Sequence, residues 1–173
     1  MTNSVIESVG GEFLRYKDLA EKAMAQLGEH DLSRTSTDGA NSIATICWHI
    51  SGNLKSRFTD FLISDGEKPW RKREEEFEPR EVARSELLEK WNDGWSVLTA
   101  TLQSLRDDQL SETVKIRAQD LTVAEALHRS LAHISYHVGQ IVYIAKSLRG
   151  SEWRSLSIPP GKSAEFNEKL MRK

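Results

Sequence analysis

One cysteine, four prolines and no long apolar run mark this chain by what it is short of. The lone thiol, Cys47, forbids an intrachain disulfide and supplies no thiolate cluster for zinc, so a disulfide scaffold and a cysteine-rich metal fold are both excluded. No stretch approaches the roughly 20 apolar residues of a membrane span. The N-terminus, MTNSVIESVGGEFLRYKD, lacks the basic-then-apolar layout of a secretory leader, which makes a cytoplasmic location the expectation. An excess of one charge is missing too, because 24 Lys and Arg against 26 Asp and Glu leave a net charge of −2. Neither nucleic acid nor a membrane is therefore expected as a partner, since both select a basic face. Lys55, Arg57, Arg71, Lys72 and Arg73 could gather into a local basic patch on folding, although such runs are ordinarily just solvated.

What remains is an ordinary charge-coated helical chain. At 173 residues, with 38% hydrophobic and 29% charged residues, it fits a single domain over 1–173 with a true core. Apolar periodicity predicts four helices, from about Ser4 to Leu27, Asn41 or Ser42 to Ile63, Arg84 to Leu105, and Thr122 to Gly150. Gly10-Gly11 weakens the first. The fourth opens on a capping box, Thr122 with Glu125. Trp91 and Trp95 read as core, with Leu88, on the third. Between the second and third helices, SDGEKPWRKREEEFEPR is charged and broken by two prolines, and reads as a connection rather than a packed element. TVKIR alternates for five residues and reads as a short strand or extended arm. The tail, about 151–173, contains Pro159-Pro160-Gly161 and is expected to lie extended, with at most a final helical turn. The fold class is all-α. The expected architecture is a four-helix bundle whose long link between helices two and three permits a crossover, so those two need not be antiparallel neighbours.

The feature that points to chemistry is a set of histidines. His133 and His137 stand four residues apart in LAHISYHVGQI, about one turn of helix, so their rings can converge. On a helical wheel both fall on the flank of the apolar stripe, with Ile144 between them. His49, in ICWHISGN, occupies the same kind of flank on the second helix, beside the small polar residues Ser51, Gly52 and Asn53. A third imidazole joining the pair would complete a facial set of neutral nitrogen ligands for a divalent transition metal, with positions left open for water or substrate. The competing reading packs the pair as ordinary amphipathic or carbonyl-capping residues. His30 and His128 read as surface residues, and Cys47 as core packing. Tyr136 and Gln140 border the pair and could orient its rings from outside.

WHISGNL, LAHISYHVGQIVYIAK and the closing SIPPGKSAEFN resemble a bacterial branch of the DinB-like superfamily described as a domain of unknown function, and the similarity extends to KWNDGW. The resemblance implies a DinB/YfiT-like four-helix bundle with a long crossover. It also implies a homodimer, and nickel or zinc bound through His49, His133 and His137. Relatives in the superfamily include thiol-dependent transferases and isomerases using bacillithiol or mycothiol.

Three functions follow as expectations. The first is a metal-dependent thiol S-transferase acting on a small electrophile, with a low-molecular-weight thiol as co-substrate. The second is a metal-dependent hydrolase, which needs a general base. No carboxylate lies one turn from any of the three histidines, and Asp60 is three turns from His49. The third is a non-catalytic metal-binding or interaction module, against which three ligands rather than four argue.

Overall fold

The computed structural model describes residues 4–35, 37 and 39–172. Five α-helices and one two-stranded sheet make up the fold: α1 Val5–Met24, α2 Ile43–Phe58, α3 Arg84–Ser104, β1 Thr113–Ile116, β2 Gln119–Thr122, α4 Val123–Arg149 and α5 Ser163–Met171. Helices α1, α2 and α4 start where a side chain satisfies free amides of the first turn. Ser4 and Glu7 form a capping box on α1, and the Asp107 carboxylate accepts from Val5 N at 2.8 Å and Ile6 N at 3.0 Å. Ser42 caps α2, and Thr122 with Glu125 forms the box expected on α4. Gly10 and Gly11 sit inside α1 without interrupting it.

Contacts between named residues fix the helix directions. Thr101 donates to the Phe58 carbonyl, and a Cβ on Gly94 would lie 2.6 Å from Ser51 Cα, so α2 and α3 run parallel in tight register. Helices α1 and α3 are antiparallel, because Arg84 reaches the Met24 and Leu27 carbonyls at one end while Leu102 meets Gly10 at the other. Helix α4 lies alongside α1 and against α2. Parallel neighbours cannot be joined by a short turn, which explains the long segment 59–83 returning the chain from the end of α2 to the start of α3. Phe13, Ile46, Ile50, Leu54, Trp91, Trp95, Leu98, Leu127, Ile134 and Ile141 fill the centre.

Three expectations need correction. Of the adjacent pair Leu87-Leu88 on α3, Leu87 is buried and Leu88 only half-buried, because the stripe runs Leu87, Trp91, Gly94 and Trp95, Leu98. The charged link is packed: Lys68 and Glu76 are buried, and a 3-10 turn at Glu74–Phe77 lies against α2. The tail holds a nine-residue helix, α5, with no buried residue, where only a final turn was expected. The first four residues of TVKIR are indeed a strand, paired antiparallel to β2 with Val114 opposite Leu121, and Arg117 belongs to the turn that follows. Among the described residues no helix is long and apolar enough to cross a membrane.

Candidate metal centre

The middle stretches of α2 and α4, which carry the histidines, are brought together by the apolar stripes beneath them. Ile46 and Ile50 flank His49 on α2, and Ile134, Val138 and Ile141 surround the pair on α4, all buried. Burying those stripes turns the adjacent flank of each helix into the crevice between them. His49 is 5% exposed and His137 8%, deeper than the edge position their wheels suggest, whereas His133 is half-buried.

The three rings converge through the same atom. Nε2 of His133 lies 3.1 Å from Nε2 of His49 and 3.2 Å from Nε2 of His137. The ligand atoms of all three lie within 4.8 Å of one another, and the set could hold a metal ion. Nitrogens about 2.0–2.1 Å from one shared cation show separations of this size.

The outer nitrogens explain why the inner ones point this way. Nδ1 of His49 is 2.9 Å from Glu76 Oε2, and that carboxylate also receives Arg71 Nε at 2.7 Å and Nη2 at 2.8 Å. Burial alone would raise the Glu76 pKa, but the bonds from Arg71 and His49 outweigh it and hold it below the usual carboxylate range. An ionised carboxylate only accepts, so His49 carries its hydrogen on Nδ1 and turns a lone pair inward on Nε2. Gln140 does the same on α4: its Oε1 accepts from His137 Nδ1 at 2.7 Å, while its amide nitrogen donates to the Tyr136 hydroxyl at 3.3 Å. Two inward lone pairs therefore face His133 Nε2, whose single possible hydrogen can be given fully to only one of them. His133 Nδ1 is buried without a protein partner, so no second interaction selects its tautomer.

Protonation does not resolve the crowding. Burial, and then the neighbouring His137, His49, Arg71 and Arg57, push the His133 pKa down to about 3. Burial also lowers His137, against the opposing bond to Gln140. Three imidazoles with converging nitrogens are the donor set a borderline divalent cation prefers, and the carboxylate and amide behind them are the supports such ligands ordinarily have.

Glu76 and Arg71 were missed in the sequence, where three consecutive glutamates look like a solvated run. Gly52 and Phe77 are the signals that could have found them. A Cβ on Gly52 would lie 2.1 Å from Glu76 Oε1, so only glycine leaves room for that carboxylate one turn after His49. Phe77, an aromatic inside the charged run, packs on the His49 ring at 4.6 Å between centroids, and the Arg73 guanidinium lies 4.9 Å from the centroid of the Phe77 ring.

The remaining candidates lie elsewhere. His30 and His128 are exposed and outside the cluster. Cys47 is fully buried with its sulfur 3.7 Å from Met24 Sδ, and burial pushes its thiol pKa up, so it is packing rather than nucleophile. A hollow of about 190 Å³ lies beside His49 and His133, with Asn53, Phe61, Ile116 and Ser130 also in its wall. A larger hollow of about 540 Å³ lies between α1 and α3, but among the described residues Glu7 is the one ionisable side chain in its wall.

A family model described as a protein of unknown function (DUF1572) matches residues 1–162. No curated protein matches the chain.

Proposed function

Since the chain belongs to the DUF1572 family, whose description assigns no activity, its chemistry has to come from the site, and we propose that it is a metal-dependent enzyme of the thiol S-transferase type. His49, His133 and His137 are its metal ligands, with nickel or zinc as the cation. The observation that carries this reading is the convergence of three Nε2 atoms at 3.1 and 3.2 Å, with the outer nitrogens of His49 and His137 tied to Glu76 and Gln140. A divalent cation held there would lower the pKa of a thiol brought to its open side.

The chain's own residues do the rest. Arg71 clamps Glu76, Glu76 fixes the His49 tautomer, and Gln140 fixes that of His137, so the ligand set is organised before anything binds. Packing of Phe77 over His49 keeps water from that side of the ring. The hollow between α2, α4 and the β-hairpin is where a small-molecule substrate would sit next to the open side. A hydrolase is less well served. Its water needs a proton acceptor, and no Asp or Glu is among the described residues lining that hollow; Glu76 faces the outer nitrogen of His49 and is occupied by Arg71.

This reading also takes α1–α4 as a DinB-like four-helix bundle with a crossover, for which the parallel α2 and α3 joined by segment 59–83 are the support. A homodimer goes with that kinship, and sedimentation of the purified protein would read it directly. The activity is tested by assaying metal-loaded protein against a panel of low-molecular-weight thiols and small electrophiles. Thiol conjugation lost in His137→Ala, with thermal stability of the metal-free forms matched, is the expected result. Metal-loaded protein that conjugates none of the thiols would remove the transferase reading.

A further inference from the structure

Among the described residues, the hollow beside His49 and His133 is lined by five arginines and no carboxylate: Arg57, Arg71, Arg73, Arg117 and Arg129 come from α2, the crossover segment, the β-hairpin and α4. In a chain whose net charge is −2, that concentration is not a consequence of composition. Three of these residues belong to the basic run that sequence alone would leave solvated.

The surrounding acids neutralise them only in part: Arg73 pairs with Glu74 at 2.9 Å, but the other four have two carboxylates between them. Glu67 is shared, its Oε2 lying 3.2 Å from Arg57 Nη2 and 2.8 Å from Arg117 Nε, so one negative charge serves two guanidiniums. Glu76 is committed to Arg71 and His49. Arg129 makes no ion pair among the described residues. Arg71 is the clearest case: its side chain is 2% exposed, two of its nitrogens bind Glu76, and its Nη1 is buried with no protein partner. Ser130 Oγ, in the same wall, is also buried and unpartnered. Buried donors that the fold leaves unsatisfied are costly, and they are retained where something else accepts from them.

The hairpin adds a second, independent sign. Its two turn residues, Arg117 and Ala118, have φ of 54° and 58°, a conformation usually given to Asn-Gly. Asp65 holds the turn, accepting from Arg117 N at 2.8 Å and Ala118 N at 2.7 Å. A non-glycine pair kept in left-handed backbone at the mouth of a cavity is local strain of the kind found at ligand sites, and here it sets a guanidinium on the rim.

We infer that this cavity receives an oxyanion, a carboxylate or a phosphate borne by the molecule that reacts at the histidine centre. Guanidinium forks match both groups bidentately, and a hollow of about 190 Å³ suits one such group on a small molecule. The inference names the substrate class for the function proposed above and rests on that reading, yet the cradle itself can be measured on metal-free protein.

Calorimetric titrations of the whole chain with inorganic phosphate, with succinate and with neutral succinamide test it, on chelator-treated and on zinc-loaded protein. The expected result is saturable binding of phosphate or succinate, and none of succinamide, in both forms. The tighter of the two anions identifies the group. Arg117→Gln and Arg129→Gln, both at exposed positions, should each weaken that binding about tenfold while leaving zinc stoichiometry and thermal midpoint unchanged. Anion affinity equal to that of succinamide, or unmoved in both arginine variants, overturns the inference even where zinc binds as proposed. Anion binding that depends on the arginines in a protein that takes up no zinc upholds the cradle and removes the metal-dependent function instead.

Discussion

Glu76 Oε2 lies 2.9 Å from His49 Nδ1 across 27 positions of chain, and the same carboxylate is gripped by two nitrogens of Arg71. One buried acid thus couples the crossover segment to a histidine on α2. It decides both that histidine's tautomer and where its free lone pair points.

Replacing Glu76 separates these roles. Glu76→Gln keeps an oxygen acceptor for His49 but loses the charge, and should weaken metal binding about tenfold with a modest loss of stability. Glu76→Ala strands a guanidinium that is 2% exposed, and should cost about 3 kcal/mol as well. Denaturant unfolding and metal titration of the two variants check the difference.

Gly52→Ala reaches the same support without touching a charged residue. The added methyl would stand 2.1 Å from Glu76 Oε1 and 2.7 Å from its Cδ, while the two Arg71 bonds resist moving that carboxylate. The Glu74–Phe77 turn must shift, so metal affinity should fall about tenfold and the melting temperature by several degrees. Calorimetry on the variant reads both.

Acid should destabilise the metal-free protein in a defined window. His133 is held neutral in the fold, its pKa lowered to about 3, whereas in the unfolded chain it protonates near its ordinary value of 6.5. Its contribution is therefore intact above about 6.5 and is lost progressively as pH falls toward about 3, because the unfolded state takes up the proton first. His137 adds in the same direction. The melting temperature of chelator-treated protein should drop between pH 7 and pH 4.5, and His133→Gln should flatten that dependence.

Cys47 should be silent toward thiol reagents in the folded protein. It is fully buried and its pKa is raised by burial, so a disulfide reagent should titrate no thiol under native conditions and one in denaturant. One thiol reacting rapidly in native protein would mean that α1 and α2 separate readily at Met24.

The helices and the histidine set were legible because both are written in short-range periodicity. Stripes such as Ile43, Ile46, Ile50, Leu54 and Leu127, Ile134, Val138, Ile141 bury as their spacing requires, and His49, His133 and His137 ride on their flanks. The adjacent pair Leu87-Leu88 was not resolved, since either leucine continues a three-four pattern and only the approach of α2 at Gly94 selects Leu87. The supports of the site were hidden for a different reason. Glu76 and Arg71 lie in an irregular, charge-rich segment with no periodicity to read, and their burial comes from the crossover folding back over Gly52. The arginine-lined hollow was equally invisible, being assembled from four separate parts of the chain.

The most direct test is zinc or nickel titration of chelator-treated protein, wild type beside His49→Ala, His133→Ala and His137→Ala. One ion per chain in the wild type, with affinity reduced at least about a hundredfold in every variant, is the outcome this geometry requires. Absence of saturable binding in the wild type, or full affinity in the His133→Ala protein, would contradict it.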